Sequence, residues 1–177
     1  MQGIPLNERK RLGALLDDRP QTEVMAMIPQ FSQAETDNFV APPAQIPEAL
    51  GVLMFNMERG VNLPEIQEFL QDCPDIQPFD VILANELDDG CARSGNKNTA
   101  RELAQAFGLN YAWGLEFIEL VNDENAKGFH GNAVFSRWPI RRAGVIRLPE
   151  QYNWYFDRQK RIGGRLAVFA ELDVGGQ

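Results

Sequence analysis

Apolar positions in the first fifty residues are sparse, and only one stretch among them is periodic. Residues 6–17 place Leu12, Leu15 and Leu16 on one stripe, with Asn7 as a cap and Glu8 at the positive N-terminal end. A short amphipathic helix closed by Pro20 is expected there. From Pro20 to Ala49 the chain carries Pro29, Pro42, Pro43 and Pro47 and few apolar clusters, which reads as an irregular arm outside the core. The rhythm changes at Leu50. Residues 50–55 form a continuous apolar run ending at Asn56, as in a buried strand. After Gly60, Pro64 suits the first position of a helix near 64–72 whose apolar face is Ile66, Phe69 and Leu70. Pro74 and Pro78 break that helix, and residues 79–84 form a second buried strand ending at Asn85 and Glu86. Helical spacing returns through Ala100, Leu103, Ala104 and Phe107, with Gly108 as the stop. Beyond it the period shortens to that of strands, over 111–120, 132–136, 144–148 and 165–174.

Strand, helix, strand, helix, then strands: this order predicts a layered α/β domain (α+β by some schemes) with helices on one face of a sheet. The length of 177 residues allows about one domain. Cys73 and Cys91 match neither a metal spacing nor a disulfide framework. No apolar run reaches the ~18–20 residues of a membrane span. No apolar segment of a signal peptide follows Met1, so a cytoplasmic protein is expected.

A formal charge of −8 argues against a general polyanion binder. The average conceals a split. Between 137 and 165 lie eight of the 17 basic residues (Arg137, Arg141, Arg142, Arg147, Arg158, Lys160, Arg161 and Arg165), opposed only by Glu150 and Asp157, for a local charge of +6. Trp138, Tyr152, Trp154, Tyr155 and Phe156 are interleaved with them. Such a segment either holds a phosphorylated or nucleic-acid ligand by charge and stacking, or is a strand pair with solvated arginines.

Candidate chemistry falls at strand ends. Asn56 and Glu86 close the first two predicted strands; if these run parallel in one sheet, both lie on one edge, where open α/β sheets keep their ligand crevices. An amide beside a carboxylate there can hold a divalent cation and its waters, since Mg²⁺ is often bound by one or two carboxylates plus water and substrate phosphate. Equally, both are ordinary turn or cap residues. Asn132 opens the strand that ends in Ser136-Arg137-Trp138-Pro139-Ile140, placed either to orient a phosphate or to form an Asx-type turn. Arg165, after Gly163-Gly164, can reach a phosphate bidentately or stand as one more solvated cation. His130, the single histidine, reads as a surface-loop residue with no nucleophile or carboxylate partner assignable by spacing.

In order, Phe55-Asn56-Met57-Glu58-Arg59-Gly60, Val81-Ile-Leu-Ala-Asn85-Glu86, Gly131-Asn-Ala-Val-Phe-Ser-Arg-Trp-Pro-Ile140 and Arg165-Leu-Ala-Val-Phe-Ala-Glu-Leu172 resemble consecutive N-terminal motifs of the endonuclease/exonuclease/phosphatase superfamily, the deoxyribonuclease I-like fold. The resemblance covers about residues 50–177. It implies half of a four-layer α/β/β/α sandwich, with one mixed sheet and helices on its outer face. It also implies hydrolysis of phosphodiester or phosphomonoester bonds with Mg²⁺ or Mn²⁺. Position by position, Glu86 would be the metal ligand, with Asn56 the adjacent amide at the metal and phosphate. Asn132 and Arg165 would orient the phosphate. Asn85 replaces the family's frequent Gln.

The family's later motifs, a histidine after the next strand, an Asp-x-Asn pair and a terminal Asp-His, have no counterpart here. The expectation is therefore an N-terminal arm over 1–49 and a domain over 50–177 truncated before its C-terminal half. Catalysis by this chain alone should be very weak, because water activation lacks its residues. An uncovered apolar face on the first two strands should promote self-association. The substrate would be a phosphate ester; nucleic acid, phosphoinositide, sphingomyelin-like lipid and small esters all remain candidates. The alternative is a non-catalytic fragment binding a polyanion through 137–165.

Overall fold

The computed structural model describes residues 1–150, 154–157 and 159–176. Its first elements are α1 (Leu6–Ala14), α2 (Gln21–Ala26), β1 (Ala34–Asp37), β2 (Val52–Arg59) and α3 (Leu63–Asp72). There follow β3 (Val81–Asp89), α4 (Thr99–Phe107), β4 (Asn110–Glu119), β5 (Phe129–Ser136) and β6 (Ile140–Arg147). The last are α5 (Trp154–Asp157), β7 (Arg161–Gly163) and β8 (Leu166–Leu172).

The apolar runs of β2 and β3 pair in parallel, Val52 opposite Val81 through Asn56 opposite Asn85, with α3 as the crossover. The main sheet has the order β1-β4-β5-β3-β2, with β7 also paired to β4, and every pairing other than β2–β3 is antiparallel. The mixed sheet is thus as expected. Helix α4 forms because Asn98 accepts a hydrogen bond from the Arg101 amide (2.9 Å) and Gly108 takes the left-handed conformation that ends it. Its Ala100, Leu103 and Ala104 are fully buried with Tyr111, Trp113 and Leu115 of β4. Side chains alternate along a strand, so Gly114 faces the other way. There, a side chain at Gly114 would touch Val145 of β6 and Val168 and Leu166 of β8. The two-stranded β6–β8 sheet therefore covers the inner face of β4 and β5. Strand β4, sandwiched between helix and second sheet, is buried throughout, which is why its sequence is nearly continuously apolar. Among the described residues, no helix is long and apolar enough to cross a membrane.

The first residues differ from the sequence reading. They are not an arm outside the core: Ile4, Leu12, Leu16, Val24, Ile28 and Phe31 are buried in the same cluster as Trp113 and Leu115. Gln21 ties α2 to β7, donating to the Arg161 carbonyl (3.1 Å) and accepting from the Gly163 amide (2.9 Å). Buried Arg9 donates to the carbonyls of Asn125 and Lys127. Leu12 and Leu16 belong to the helical stripe of the sequence, whereas Ile4, Val24, Ile28 and Phe31 sit in short segments bounded by prolines, with no period to mark them as core. Pro5 rather than Asn7 occupies the N-cap of α1, without a side-chain cap bond.

Candidate functional site

Both parallel strands leave regular geometry in their carboxyl-terminal halves; Asn56 and Glu86 do not close them as expected, since β2 runs to Arg59 and β3 resumes its pairing with β5 from Leu87 to Asp89. The register of β2 against β3 shifts between Asn56 and Arg59, and that of β3 against β5 between Ala84 and Leu87. Glu58 (φ 45°), Arg59 (φ 68°) and Glu86 (φ 59°) adopt left-handed backbone conformations. Each such residue without a glycine's freedom costs about 1–2 kcal/mol, and strain of this kind collects at functional sites. Asn56 stabilises its turn by accepting from the Glu58 amide (2.9 Å). The bulge in β3 re-aims Glu86. It is held by Asn132 of β5, whose Oδ1 accepts from the Glu86 amide (3.1 Å).

From Asn132 the contacts continue to a residue that sequence reasoning did not single out. Its Nδ2 lies 3.5 Å from Glu116 Oε2, and Glu116 Oε1 accepts from Arg165 at 2.8 Å. Glu116 is buried on β4, the extra residue of a bulge between Leu115 and Phe117. Asn56, Asn85, Glu86, Glu116, Asn132, Leu148, Arg165 and Leu166 line one open cavity of about 330 Å³. All four residues singled out from the sequence, Asn56, Glu86, Asn132 and Arg165, therefore meet at one place. Their duties differ. Among the described residues the Glu86 carboxylate has no hydrogen bond or ion pair. The Asn132 amide is spent on Glu86 and Glu116, and Arg165 is braced by Glu116.

The wall behind Arg165 is rich in cations. Arg147 donates to the carbonyls of Leu115 (2.6 Å) and Glu116 (2.8 Å), and Arg161 stacks on Phe117 at 4.0 Å. Burial pushes both guanidinium groups down to about 10, against the pull of nearby Glu116. Glu116 faces all three arginines, and Glu150 adds a second carboxylate beside Arg147 and Arg161. Among the described residues, no group of three or more His, Cys, Asp or Glu side chains is gathered to hold a metal.

His130 is not a surface-loop residue. β5 begins at Phe129, three residues earlier than the sequence pattern suggests, so His130 is a buried strand residue. It stacks on Phe117, with Nδ1 2.7 Å from Asp88 Oδ1. Arg93 clamps the same carboxylate with two bonds (2.7 and 3.0 Å) and reaches Glu119 at 3.2 Å. Burial alone would raise the Asp88 carboxyl, but hydrogen bonds from His130 and Arg93, with their charges, hold it below the usual carboxylate range. Cys91 beside it is pushed upward, chiefly by burial, which leaves an inert thiol.

The basic segment is not an open positive strip. Arg137 pairs with Asp80, Arg141 with Asp173, and Arg142 with Glu171 while lying over Phe169. Trp138 is buried. Tyr152 and Arg158, and the side chain of Trp154, lie outside the described residues.

No family model and no curated protein matches the sequence. The mixed α/β architecture with its mixed sheet matches the endonuclease/exonuclease/phosphatase fold. The solved structure that carries this likeness is the endonuclease/exonuclease/phosphatase from Beutenbergia cavernae DSM 12333, to which the chain is similar with a TM-score of 0.50 and 20% identity. The match covers 71% of this chain and 34% of that one, so the chain spans about a third of the solved structure's length. At this identity the likeness establishes the fold.

Proposed function

We propose that this chain carries the cation- and phosphate-binding part of a metal-dependent phosphoesterase site. The observation that supports it best is the carboxylate of Glu86, without a partner among the described residues and aimed by a strained bulge into a cavity whose other wall is Arg165. The donors suit a hard divalent cation such as Mg²⁺ or Mn²⁺: one free carboxylate, and an Asn56 oxygen that keeps a lone pair beside its bond to Glu58. Glu86 and Asn56 would hold the ion, with water and substrate completing its shell. When bound, it would neutralise phosphate charge as a Lewis acid. The chain's own residues do the rest of the binding. Arg165 takes a phosphate oxygen, and Glu116 fixes the direction of its guanidinium. Asn132 keeps the Glu86 bulge in place. No histidine lines the cavity, and His130 is engaged by Asp88, so the described residues offer little for deprotonating water.

Glu86→Gln is expected to weaken Mn²⁺ binding by ~10-fold or more, read by titration of the bound ion's paramagnetic signal. Equal affinities would sink the assignment. Wild-type protein should bind inorganic phosphate yet cleave bis(p-nitrophenyl) phosphate barely above background. Robust Mg²⁺-dependent cleavage lost in Glu86→Gln would overturn the second expectation.

The same fold suggests a partner. Val52, Met54 and Leu83 project together from the outermost strand pair beyond the cover of β6 and β8, with exposures of 57, 73 and 39%. We expect a second copy to pack on this face. Sedimentation should show concentration-dependent association, reduced by Met54→Lys; a wild-type monomer at every concentration would refute it.

A further inference from the structure

A second cavity, of about 380 Å³, adjoins the first. Leu148 and Arg165 line both, and the Leu148 amide donates to the Arg165 carbonyl (3.0 Å), so one rigid wall serves the two. The opposite wall comes from α2 and the turn after it: Met25, Ala26, Ile28 and Phe31. Arg147 closes the back, its guanidinium 4.9 Å over the Phe31 ring and its two terminal nitrogens bonded to main-chain carbonyls. The result is a mostly apolar chamber of ligand size opening beside an anion-binding arginine. Phosphate chemistry in the first cavity does not require it.

We infer that this chamber is a substrate subsite that takes the apolar organic arm of a phosphate ester whose phosphate rests on Arg165. The inference builds on the proposed phosphate site and names the kind of ester it accepts. An arm of about naphthyl size fits the volume. Desolvation of the arm against Met25, Ile28, Phe31 and Leu148 supplies affinity that inorganic phosphate cannot gain. Because residues 22–32 build one wall, the N-terminal segment has a role in selecting substrate as well as in filling the core.

The experiment is calorimetric titration of the whole chain, with Mg²⁺ present, using inorganic phosphate, 1-naphthyl phosphate, hexyl phosphate and 1-naphthol. Aryl or alkyl phosphate, or both, should bind roughly tenfold or more tighter than inorganic phosphate, and the two arms tell aromatic from aliphatic preference. Ala26→Trp and, independently, Thr22→Trp, both at exposed positions lining the chamber, should erase that advantage and leave inorganic phosphate affinity unchanged. Equal affinities for all three phosphates overturn the subsite while sparing the phosphate site. Naphthol binding as tightly as naphthyl phosphate overturns the link to Arg165. Absence of phosphate binding of any kind removes the phosphate site, and this inference with it.

Discussion

Asp88→Ala should cost about 3–5 kcal/mol of folding free energy, the usual penalty for removing one partner of a buried ion pair. Asp88 is completely buried and answers three groups at once: Arg93 through two bonds, His130 through one, and the Ser94 hydroxyl at 3.3 Å. Deleting it strands a guanidinium whose remaining carboxylate, Glu119, is already shared with Asn125 and Gln159. Against a typical total of ~5–15 kcal/mol, such a loss leaves little folded protein at warm temperatures. Urea unfolding followed by tryptophan fluorescence should show a midpoint far below wild type. A midpoint within experimental error of wild type would mean that the network contributes nothing.

The same carboxylate sets a pH dependence whose sign follows from its direction of shift. Asp88 is held below the usual range when folded, so it binds fewer protons in the folded chain than in the unfolded one. Its stabilisation is complete above the ordinary unfolded value of ~3.9 and drains away as pH falls through the lower folded value. Wild-type stability should therefore decline on acidification below about pH 4–5, and Asp88→Asn should flatten that part of the decline.

How much of this was legible beforehand depends on what each residue announces locally. β2, α3, β3 and α4 stand out because apolar runs are punctuated by Pro64, Pro74 and Gly108; the helices fall where they are expected, whereas β2 and β3 continue past their apolar runs to Arg59 and Asp89. β1, with the sequence Ala-Glu-Thr-Asp, has no apolar pattern; it is a strand because the edge of β4 offers it hydrogen-bond partners. The core role of residues 4–31 is hidden for a related reason: burial there is decided one side chain at a time by distant surfaces. At the site, strand-end polar residues are visible in sequence, and Asn56, Glu86, Asn132 and Arg165 do gather. Glu116 escaped because it sits inside an apolar strand, where only its break in the run Leu115, Phe117, Ile118 hints at a bulge. His130 gives no local sign of burial because its partners, Phe117 and Asp88, are distant in sequence, and Gly131 beside it is a strand residue for steric reasons.

Those steric reasons give the other large effect, at Gly131. A methyl group there would overlap the Gly114 carbonyl oxygen on β4 and lie 2.7 Å from ring carbons of Trp113. Neither neighbour can yield cheaply. The carbonyl belongs to the β4–β5 ladder, and Trp113 is buried with Nε1 bonded to the Leu87 carbonyl (3.3 Å). Overpacking commonly costs ~1–3 kcal/mol, and a clash with backbone belongs at or above the top of that range. Gly131→Ala is expected to lower the melting temperature by roughly 6–12 °C or more, at ~2–4 °C per kcal/mol for a chain of this size. Gly144→Ala on β6 is the control, because nothing lies within 4 Å of a side chain there and its melting temperature should barely move. Equal melting of the two variants would show that β4 and β5 do not approach as closely at Gly131 as the ladder requires. The consequence reaches the site as well. Gly131 pairs with Leu115 immediately before the Glu116 bulge and precedes Asn132, so forcing the strands apart withdraws the brace of Arg165 and the clamp on Glu86 together. Under conditions where Gly131→Ala remains folded, its Mn²⁺ and phosphate affinities should fall in parallel, whereas Glu86→Gln should lose the first and largely keep the second.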